Sequence, residues 1–261
     1  MPEPVRLHHE ISGPIHAPVL LLGGSLGTTT AMWDPQAPLA EQARLIRYDH
    51  RGHGRSPAPS GPYEIAALGR DVLALMDDLG LERATHAGVS LGGMVGMWLA
   101  ANAPERIERL ILICTSAHMP PASAWAERAA TVRRAGTAEP IADAVVDRWL
   151  TPGHAAAHPE VRARLRDMLI SAPAEGYAAC CDAIEQMDLR PLLGHIESPT
   201  LVVSGADDLA APPDHQQRIA QAIAGARYEV VASAAHLATV ERSAEVNALM
   251  SEHLLGATRV V

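Results

Sequence analysis

Phenylalanine is absent from this chain of 261 residues, and tryptophan and tyrosine contribute only four residues each. A core without phenylalanine has to be built from aliphatic side chains and methionine. At this length a folded chain buries roughly 70–75% of the surface that its unfolded form exposes. We therefore expect a full hydrophobic core in one α/β domain with an insertion, without covalent cross-links.

Cysteine is also scarce, with three residues at Cys114, Cys180 and Cys181. An odd count with two adjacent residues does not fit a disulfide framework, so we expect a reducing, cytoplasmic environment.

No basic and apolar leader opens the sequence. The uncharged stretch 84–104 is about long enough to span a bilayer, but its four glycines favour a strand, a turn and a helix over a membrane span.

Positive charge is in the minority, because 21 lysine and arginine residues face 30 aspartate and glutamate residues and the net charge is −9. No stripe rich in lysine or arginine is present, which excludes a typical nucleic-acid-binding surface. We expect neither a nucleic acid nor a membrane as partner. Because the overall field repels anions, an anionic substrate would need a local arginine.

Histidine is plentiful, but its spacing does not indicate a metal site. His50 and His53 lie in a polar run just past a predicted strand, without the HExxH spacing that places two histidines on one helix face. We therefore expect no metal and no cofactor.

Strand-like runs alternate with helix-like runs up to about residue 118 and again after residue 197. This alternation predicts a mostly parallel sheet with helices on both faces. Between these limits the alternation stops, and a helical insertion of this kind is typical of a cap that excludes water from a site. The predicted division is therefore a core at 1–118 and 198–261 and a cap at 119–197. The helix-like runs of the cap are 125–134, 141–149, 161–170 and 175–186.

Ser90 lies in the motif Gly88-Val89-Ser90-Leu91-Gly92, between the strand-like run 83–87 and a helix-like run from Met94. This pattern at a strand-to-helix turn predicts a nucleophile elbow, which holds the serine hydroxyl clear of the sheet. Glycines flank the serine because a Cβ would collide across so tight a turn. The sequence therefore predicts that Ser90 is a catalytic nucleophile.

A serine nucleophile of this type needs an acid and then a histidine further along the chain. The buried strand 200–204 runs into a turn that holds Asp207 and Asp208, and the strand 227–231 leads to His236. Both turns follow the carboxyl ends of strands, where open α/β sheets place their sites. His236 is the candidate base, and spacing alone leaves the choice between the two aspartates open.

An oxyanion hole is predicted from a second glycine-rich loop, which follows the buried strand 18–22. Such a loop supplies one backbone N–H, and the residue after the nucleophile supplies the other. The candidates are the N–H groups of Ser25 and Leu91.

With these elements in place, the whole chain resembles the α/β-hydrolase superfamily. More narrowly, it resembles the 3-oxoadipate enol-lactonases (β-ketoadipate enol-lactone hydrolases). The segments that carry this resemblance are Ser25-Leu26-Gly27-Thr28 with Met32-Trp33-Asp34-Pro35-Gln36, Arg47-Tyr48-Asp49 with Arg51-Gly52-His53-Gly54, Ser90-Leu91-Gly92-Gly93, Ala142-Asp143-Ala144-Val145 with Arg148-Trp149, Glu175-Gly176-Tyr177, Asp188-Leu189-Arg190-Pro191, Asp208-Leu209-Ala210, and His236 with Glu241-Arg242.

The resemblance implies an α/β-hydrolase fold and the triad Ser90, Asp208 and His236, because in this family the acid falls three residues after the glycine that closes the strand. It implies opening of an enol-lactone to 3-oxoadipate, in the β-ketoadipate pathway of aromatic catabolism. The chain departs from the family where Gly23-Gly24 replaces the more usual serine–asparagine pair.

That substrate carries a free carboxylate, and a cap arginine is expected to bind it through paired hydrogen bonds. Arg133, which lies eight residues after Trp125, is the candidate. Trp149 and Trp33 are candidates for the walls of the substrate pocket.

Two other functions remain open. One is a broad-specificity carboxylesterase or another Ser-His-Asp hydrolase of the same fold, because the triad would be unchanged. The other is a ligand receptor of this fold without turnover, against which the three filled triad positions argue. The sequence does not determine the oligomeric state.

Overall fold

A computed structural model describes residues 3–256 of the chain, and within them one sheet of seven strands forms the centre of the molecule. The strands are β1 (His9–Ser12), β2 (Val19–Gly23), β3 (Arg44–Tyr48), β4 (Ala84–Val89), β5 (Ile107–Ile113), β6 (Thr200–Gly205) and β7 (Arg227–Val231).

The strand order across the sheet is β1-β3-β2-β4-β5-β6-β7. Only β1 runs antiparallel to its neighbour, while every other pair is parallel. The predicted mostly parallel sheet is therefore present. Because β2 and β4 to β6 run the same way, the loops at their carboxyl ends meet along one edge.

Ten α-helices cover the sheet and its insertion in the described part of the chain. They are α1 (Ile65–Asp78), α2 (Leu91–Asn102), α3 (Ala122–Ala135), α4 (Ala142–Trp149), α5 (Pro152–Ala157), α6 (Pro159–Ile170), α7 (Ala174–Gln186), α8 (Pro213–Ala222), α9 (Ala238–Glu241) and α10 (Ser243–Leu255).

The core is aliphatic, as the composition predicts. Leu20, Leu21 and Leu22 of β2 are fully buried, and so are the apolar side chains of β5 and β6. Such near-continuous apolar strands are typical of a parallel sheet covered on both faces. Helix α1 buries Leu68 and Val72 along one face at a period near 3.6 residues.

Five α-helices lie between β5 and β6; α3, α4, α6 and α7 coincide with the four helix-like runs expected there, and α5 was not expected. In this insertion α3 packs against α7, and α4 packs against α6. A segment of 3₁₀-helix at Thr30–Glu41 was not foreseen from the sequence. Trp33 lies in this segment and is fully buried in the core. The division into a core and a cap at 119 and 197 stays a prediction.

Three backbone segments meet at the carboxyl end of β4. A Cβ added at Gly92 in α2 would lie 2.0 Å from the carbonyl oxygen of Gly23 in β2, and one at Gly88 would lie 2.1 Å from the carbonyl carbon of Gly92. No side chain fits in these gaps. The contact brings the loop after β2 beside the first turn of α2.

Within residues 3–256, none of the helices combines the length and the apolarity needed to cross a membrane.

The backbone contact at Gly92 gives a first prediction. Gly92→Ala should lower the free energy of unfolding by about 1–3 kcal/mol, because the added methyl forces β2 and α2 apart. Gly153→Ala in α5 is the matched control, since its Cβ meets no other part of the described chain. The control should be neutral or more stable by up to about 1 kcal/mol. Urea denaturation measures both changes. Equal free energies of unfolding for the two variants would contradict the close backbone contact at Gly92.

Candidate active site

Ser90 occupies a strained turn between β4 and α2, with φ 53° and ψ −111°. Its backbone N–H donates to the carbonyl of Ile113 at 3.0 Å, and the Thr115 hydroxyl donates to its carbonyl at 2.7 Å. Helix α2 begins at Leu91, three residues earlier than the apolar run from Met94 indicated. Left-handed φ is rare for residues other than glycine, and it is typical of an elbow that exposes its side chain.

The turn after β6 and the loop after β7 bring Asp208 to His236. The His236 Nδ1 lies 2.9 Å from Asp208 Oδ2 and 3.2 Å from Oδ1. A carboxylate only accepts, so Nδ1 donates and Nε2 is left as the basic nitrogen of the ring. Both side chains are buried, and Asp208 is only 1% exposed.

The Asp208 carboxylate is held by backbone groups as well as by the imidazole. Its Oδ1 accepts the N–H groups of Ala210 at 2.8 Å and Ala211 at 2.9 Å. The neighbouring Asp207 is exposed. Of the two aspartates that spacing left open, the structure therefore places Asp208 against the histidine.

Ser90 and His236 border the same cavity, which has a volume of about 340 Å³. This volume is within the range of small-molecule sites. Its walls come from the loop after β2, the elbow, the insertion and the turns after β6 and β7. The lining residues are Ser25, Leu26, Ser90, Met94, Met119, Pro120, Pro121, Ala124, Trp125, Arg128, Val145, Arg148, Trp149, Tyr177, Ile184, Leu209, Ala210, Ala211, Pro212, His215 and His236.

Ser25, a predicted oxyanion donor, lies on this cavity, and its N–H donates to Met32 Sδ at 3.3 Å. A thioether is a weak acceptor. Leu91, the other predicted donor, is the first residue of α2. The two loops are joined because the Gly92 N–H donates to the Gly24 carbonyl at 3.0 Å.

Two buried histidines after β3 hold the loop after β2. His50 Nε2 donates to the Gly24 carbonyl at 3.1 Å, and His53 Nε2 accepts the Gly27 N–H at 2.8 Å. His53 Nδ1 donates to the carbonyl of Arg51 at 3.2 Å, which assigns its tautomer. Burial lowers the pKa of His50 to about 3 and that of His53 to about 4, so both rings are neutral near pH 7.

The expected role of Arg133 is wrong. Its guanidinium lies outside the cavity lining and pairs with Glu175 at 2.8 Å and with Asp182 at 2.6 Å. The cause is helix geometry, because eight residues along α3 rotate Arg133 about 80° from Trp125 and carry it about 12 Å further along the axis. Trp125 itself lines the cavity.

The two tryptophans named as pocket walls differ. Trp149 lines the cavity, and its role as a wall of the substrate pocket stays a prediction. The expectation for Trp33 is wrong, because its side chain is fully buried in the core and is not part of the lining. The 3₁₀ segment turns the Trp33 side chain inward, so this side chain packs in the core and does not reach the cavity.

Arg128 and Arg148 are the guanidinium groups that border the cavity, and the sequence reasoning missed both. Arg128 lies 4.7 Å from the centre of the Trp125 ring. In the described part of the chain neither guanidinium pairs with a carboxylate, whereas Arg133 pairs with two. The spacing of three residues between Trp125 and Arg128, one helical turn, was a signal that could have identified Arg128.

Cys114 is a second nucleophilic side chain near the acid, since it follows β5 and its thiol interacts with Asp208. Burial and that carboxylate raise the pKa of the Cys114 thiol well above its usual value. The thiol therefore stays protonated and unreactive.

Over residues 3–256, histidine, cysteine and acidic side chains form no cluster of three or more that could hold a metal ion.

A family model for the alpha/beta hydrolase fold matches residues 17–243. The chain belongs to this family. The fold class expected from the sequence is thereby confirmed.

Known proteins that this chain is similar to include enol-lactonases. It is 40% identical to 3-oxoadipate enol-lactonase 2 of Acinetobacter baylyi, over 93% of this chain and 91% of that protein. The solved enol-lactonase of Burkholderia xenovorans LB400 is 44% identical with a TM-score of 0.93, covering 95% of this chain and 96% of that one. A thermophilic esterase from Thermogutta terrifontis, solved with malate bound, is 31% identical with a TM-score of 0.89, covering 96% and 93%.

These similarities confirm the resemblance to enol-lactonases. Together with the fold they show a hydrolase that acts on ester or lactone bonds.

The buried neutral histidines give a prediction for stability. Because the pKa of folded His53 is about 4 and that of an unfolded histidine is about 6.5, the unfolded chain binds more protons between these values. The contribution of neutral His53 to the free energy of unfolding is therefore fully present above about pH 6.5 and is lost as the pH falls toward 4. His53→Gln should make this pH dependence shallower by up to about 1.4 kcal/mol per pH unit.

Urea unfolding at several pH values between 4 and 6.5 measures this change. His195→Gln is the matched control, because His195 is exposed and its side chain stays in water on folding. The control should follow the parent protein. A His53→Gln protein with the slope of the parent would contradict a neutral His53.

Proposed function

We propose that this chain is a serine hydrolase that opens 3-oxoadipate enol-lactone to 3-oxoadipate. The observation that carries the proposal is one cavity bordered by Ser90, by a histidine bonded to a buried carboxylate, and by two arginines that pair with no carboxylate among residues 3–256. Further support comes from enol-lactonase relatives at 40% and 44% identity. We place this reaction in cytoplasmic aromatic catabolism, through the β-ketoadipate pathway.

In the proposed first step, Ser90 Oγ attacks the lactone carbonyl while His236 Nε2 takes the hydroxyl proton. Asp208 stabilises the imidazolium that forms and keeps Nδ1 protonated. The carbonyl oxygen becomes an oxyanion, for which the N–H groups of Ser25 and Leu91 are the proposed donors. An oxyanion is a far stronger acceptor than the Met32 thioether, so it would take over the Ser25 N–H, at about 3 kcal/mol per donor.

Collapse of the intermediate breaks the ring C–O bond, and His236 returns its proton to the departing enol oxygen. The enol tautomerises to a ketone, so the leaving group is removed as a nucleophile and ring opening is hard to reverse. Water then attacks the acyl-enzyme, His236 accepts the water proton, and Ser90 regains it as 3-oxoadipate is released. In total, one enol-lactone and one water molecule are converted to one molecule of 3-oxoadipate.

We assign the substrate carboxylate to Arg128 and Arg148 in place of Arg133. Both border the cavity from the insertion, Arg128 on α3 and Arg148 on α4, and within residues 3–256 neither pairs with a carboxylate. With a net charge of −9, the rest of the molecule does not attract an anion, so these two groups would create the local positive field.

A broad-specificity carboxylesterase is the second candidate, favoured by the 31% identity to the Thermogutta terrifontis esterase. A carboxylesterase would use the same triad as a lactonase, and the two would differ only in the substrates that the cap admits. Comparing kcat/KM for the enol-lactone with that for p-nitrophenyl acetate separates the two candidates. A large preference for the lactone supports the lactonase.

The two neighbouring aspartates allow a matched test of the triad. Asp208→Asn should lower kcat by about 10⁴-fold, because the histidine would lose its tautomer and its countercharge. Asp207→Asn should change kcat less than twofold, since this side chain is exposed. Loss of the ultraviolet absorbance of the enol-lactone measures both. Equal rates for the two variants would exclude Asp208 from the triad.

The arginines allow a matched test of substrate binding. Replacing both Arg128 and Arg148 by glutamine should raise KM for the enol-lactone by about 10- to 100-fold, through loss of charged hydrogen bonds. KM for neutral p-nitrophenyl acetate should stay near the parent value. Arg133→Gln is the control and should leave KM for the lactone unchanged. A rise in KM confined to Arg133→Gln would reverse the assignment.

A further inference from the structure

Glu241 ends α9 and turns its carboxylate back toward the loop that carries His236. Its Oε2 accepts the backbone N–H of Ala235, the residue before the histidine, at 2.5 Å. The loop is short, because only residues 232–237 separate β7 from α9. A carboxylate bond at residue 235 therefore restrains the position of the imidazole itself.

The other oxygen of this carboxylate holds the insertion. Glu241 Oε1 accepts the Thr151 N–H at 2.8 Å and the Thr151 hydroxyl at 2.7 Å. Thr151 starts α5 and follows the end of α4, where Arg148 and Trp149 line the cavity. One side chain thus joins the wall of the cavity to the histidine loop.

A backbone bond runs parallel to this link. The N–H of Leu237, the residue after the histidine, donates to the Trp149 carbonyl at 2.9 Å. Both neighbours of His236 are therefore tied to the end of α4, one directly and one through Glu241. The histidine loop is therefore joined to this part of the cavity wall at two points.

We propose that Glu241 is a positioning residue that couples the Arg148–Thr151 segment of the cavity wall to the loop holding His236. The proposal rests on the proposed role of His236 as the base. When the substrate binds Arg148, the end of α4 is held, and through Glu241 and Thr151 the imidazole is held at its working position. The enzyme thereby couples recognition at the cavity wall to proton transfer at Ser90.

A carboxylate is required because three donors converge on its two oxygens. The amide of glutamine keeps one accepting oxygen and presents an NH₂ group to the other donors. Glu241→Gln, which has nearly the same shape, must therefore lose either the bond from the Ala235 N–H or the bond from the Thr151 N–H, because the NH₂ group accepts from neither; the Thr151 hydroxyl could turn and accept from the NH₂ group. A displacement of the imidazole by about 1 Å costs on the order of 100-fold in rate.

The experiment compares Glu241→Gln, Thr151→Val and the double variant, with the enol-lactone and p-nitrophenyl acetate as substrates. Glu241→Gln should lower kcat on the order of 10- to 100-fold with a smaller change in KM. Thr151→Val should lower kcat by a smaller factor, and the double variant should be no slower than Glu241→Gln alone. Thr151→Ser, which keeps both donors, should restore most of the kcat lost in Thr151→Val.

Glu245→Gln is the matched control, because this exposed acid lies four residues further along the chain, in α10. Its kcat should equal that of the parent. If the Glu241 variant melts at a lower temperature but keeps the parent kcat below its melting range, the role is only structural and the proposal fails. Multiplying effects of Glu241→Gln and Thr151→Val in the double variant would likewise overturn the coupling.

The two substrates separate this proposal from the proposed function. If the enol-lactone is not hydrolysed but p-nitrophenyl acetate shows the expected pattern, the positioning of His236 through Glu241 and Thr151 holds and the assigned substrate is wrong. If the lactone is hydrolysed and Glu241→Gln retains the parent kcat, the substrate stands and the coupling is wrong. A parent protein that hydrolyses neither substrate would overturn both.

Discussion

The backbones of β2, β4 and α2 approach each other so closely that only glycine fits at Gly88 and Gly92. This contact forces Ser90 into a left-handed turn and places the loop after β2 beside the nucleophile. The parallel order of β4, β5, β6 and β7 then brings the acid and histidine turns to the same edge of the sheet. The chemistry that we propose depends on this one meeting of main chains.

Around that contact the buried acid and two buried histidines are hydrogen-bonded, and both histidines are uncharged. Asp208 receives two backbone N–H groups and the imidazole, while His50 and His53 are neutral and bond to main-chain atoms of the loop after β2. The neutral state of His50 and His53 is favourable here. A second buried positive charge near His236 would repel the imidazolium that the proposed reaction forms and so disfavour its formation. The positive charge at the cavity is carried by Arg128 on α3 and Arg148 on α4.

The fold and the loops of Ser90 and His236 could be predicted because strand-to-helix junctions are local features of the sequence. The sequence pattern did not predict contacts that depend on tertiary packing. Arg133 was predicted and Arg128 was missed because the orientation of α3 depends on its packing against α7. Trp33 was predicted to line the pocket because the 3₁₀ segment was not foreseen. The bonds of Glu241 to Thr151 join residues 90 positions apart, so no local pattern reveals them.

Covalent labelling tests the convergence of the triad most directly. The native protein is incubated with a fluorophosphonate, whose phosphorus is attacked by an activated serine with loss of fluoride, and the adduct is located by peptide mass spectrometry. We predict one adduct per chain on Ser90, and its absence when His236 is replaced by alanine. An adduct on another residue, or no adduct on folded protein, would contradict the account.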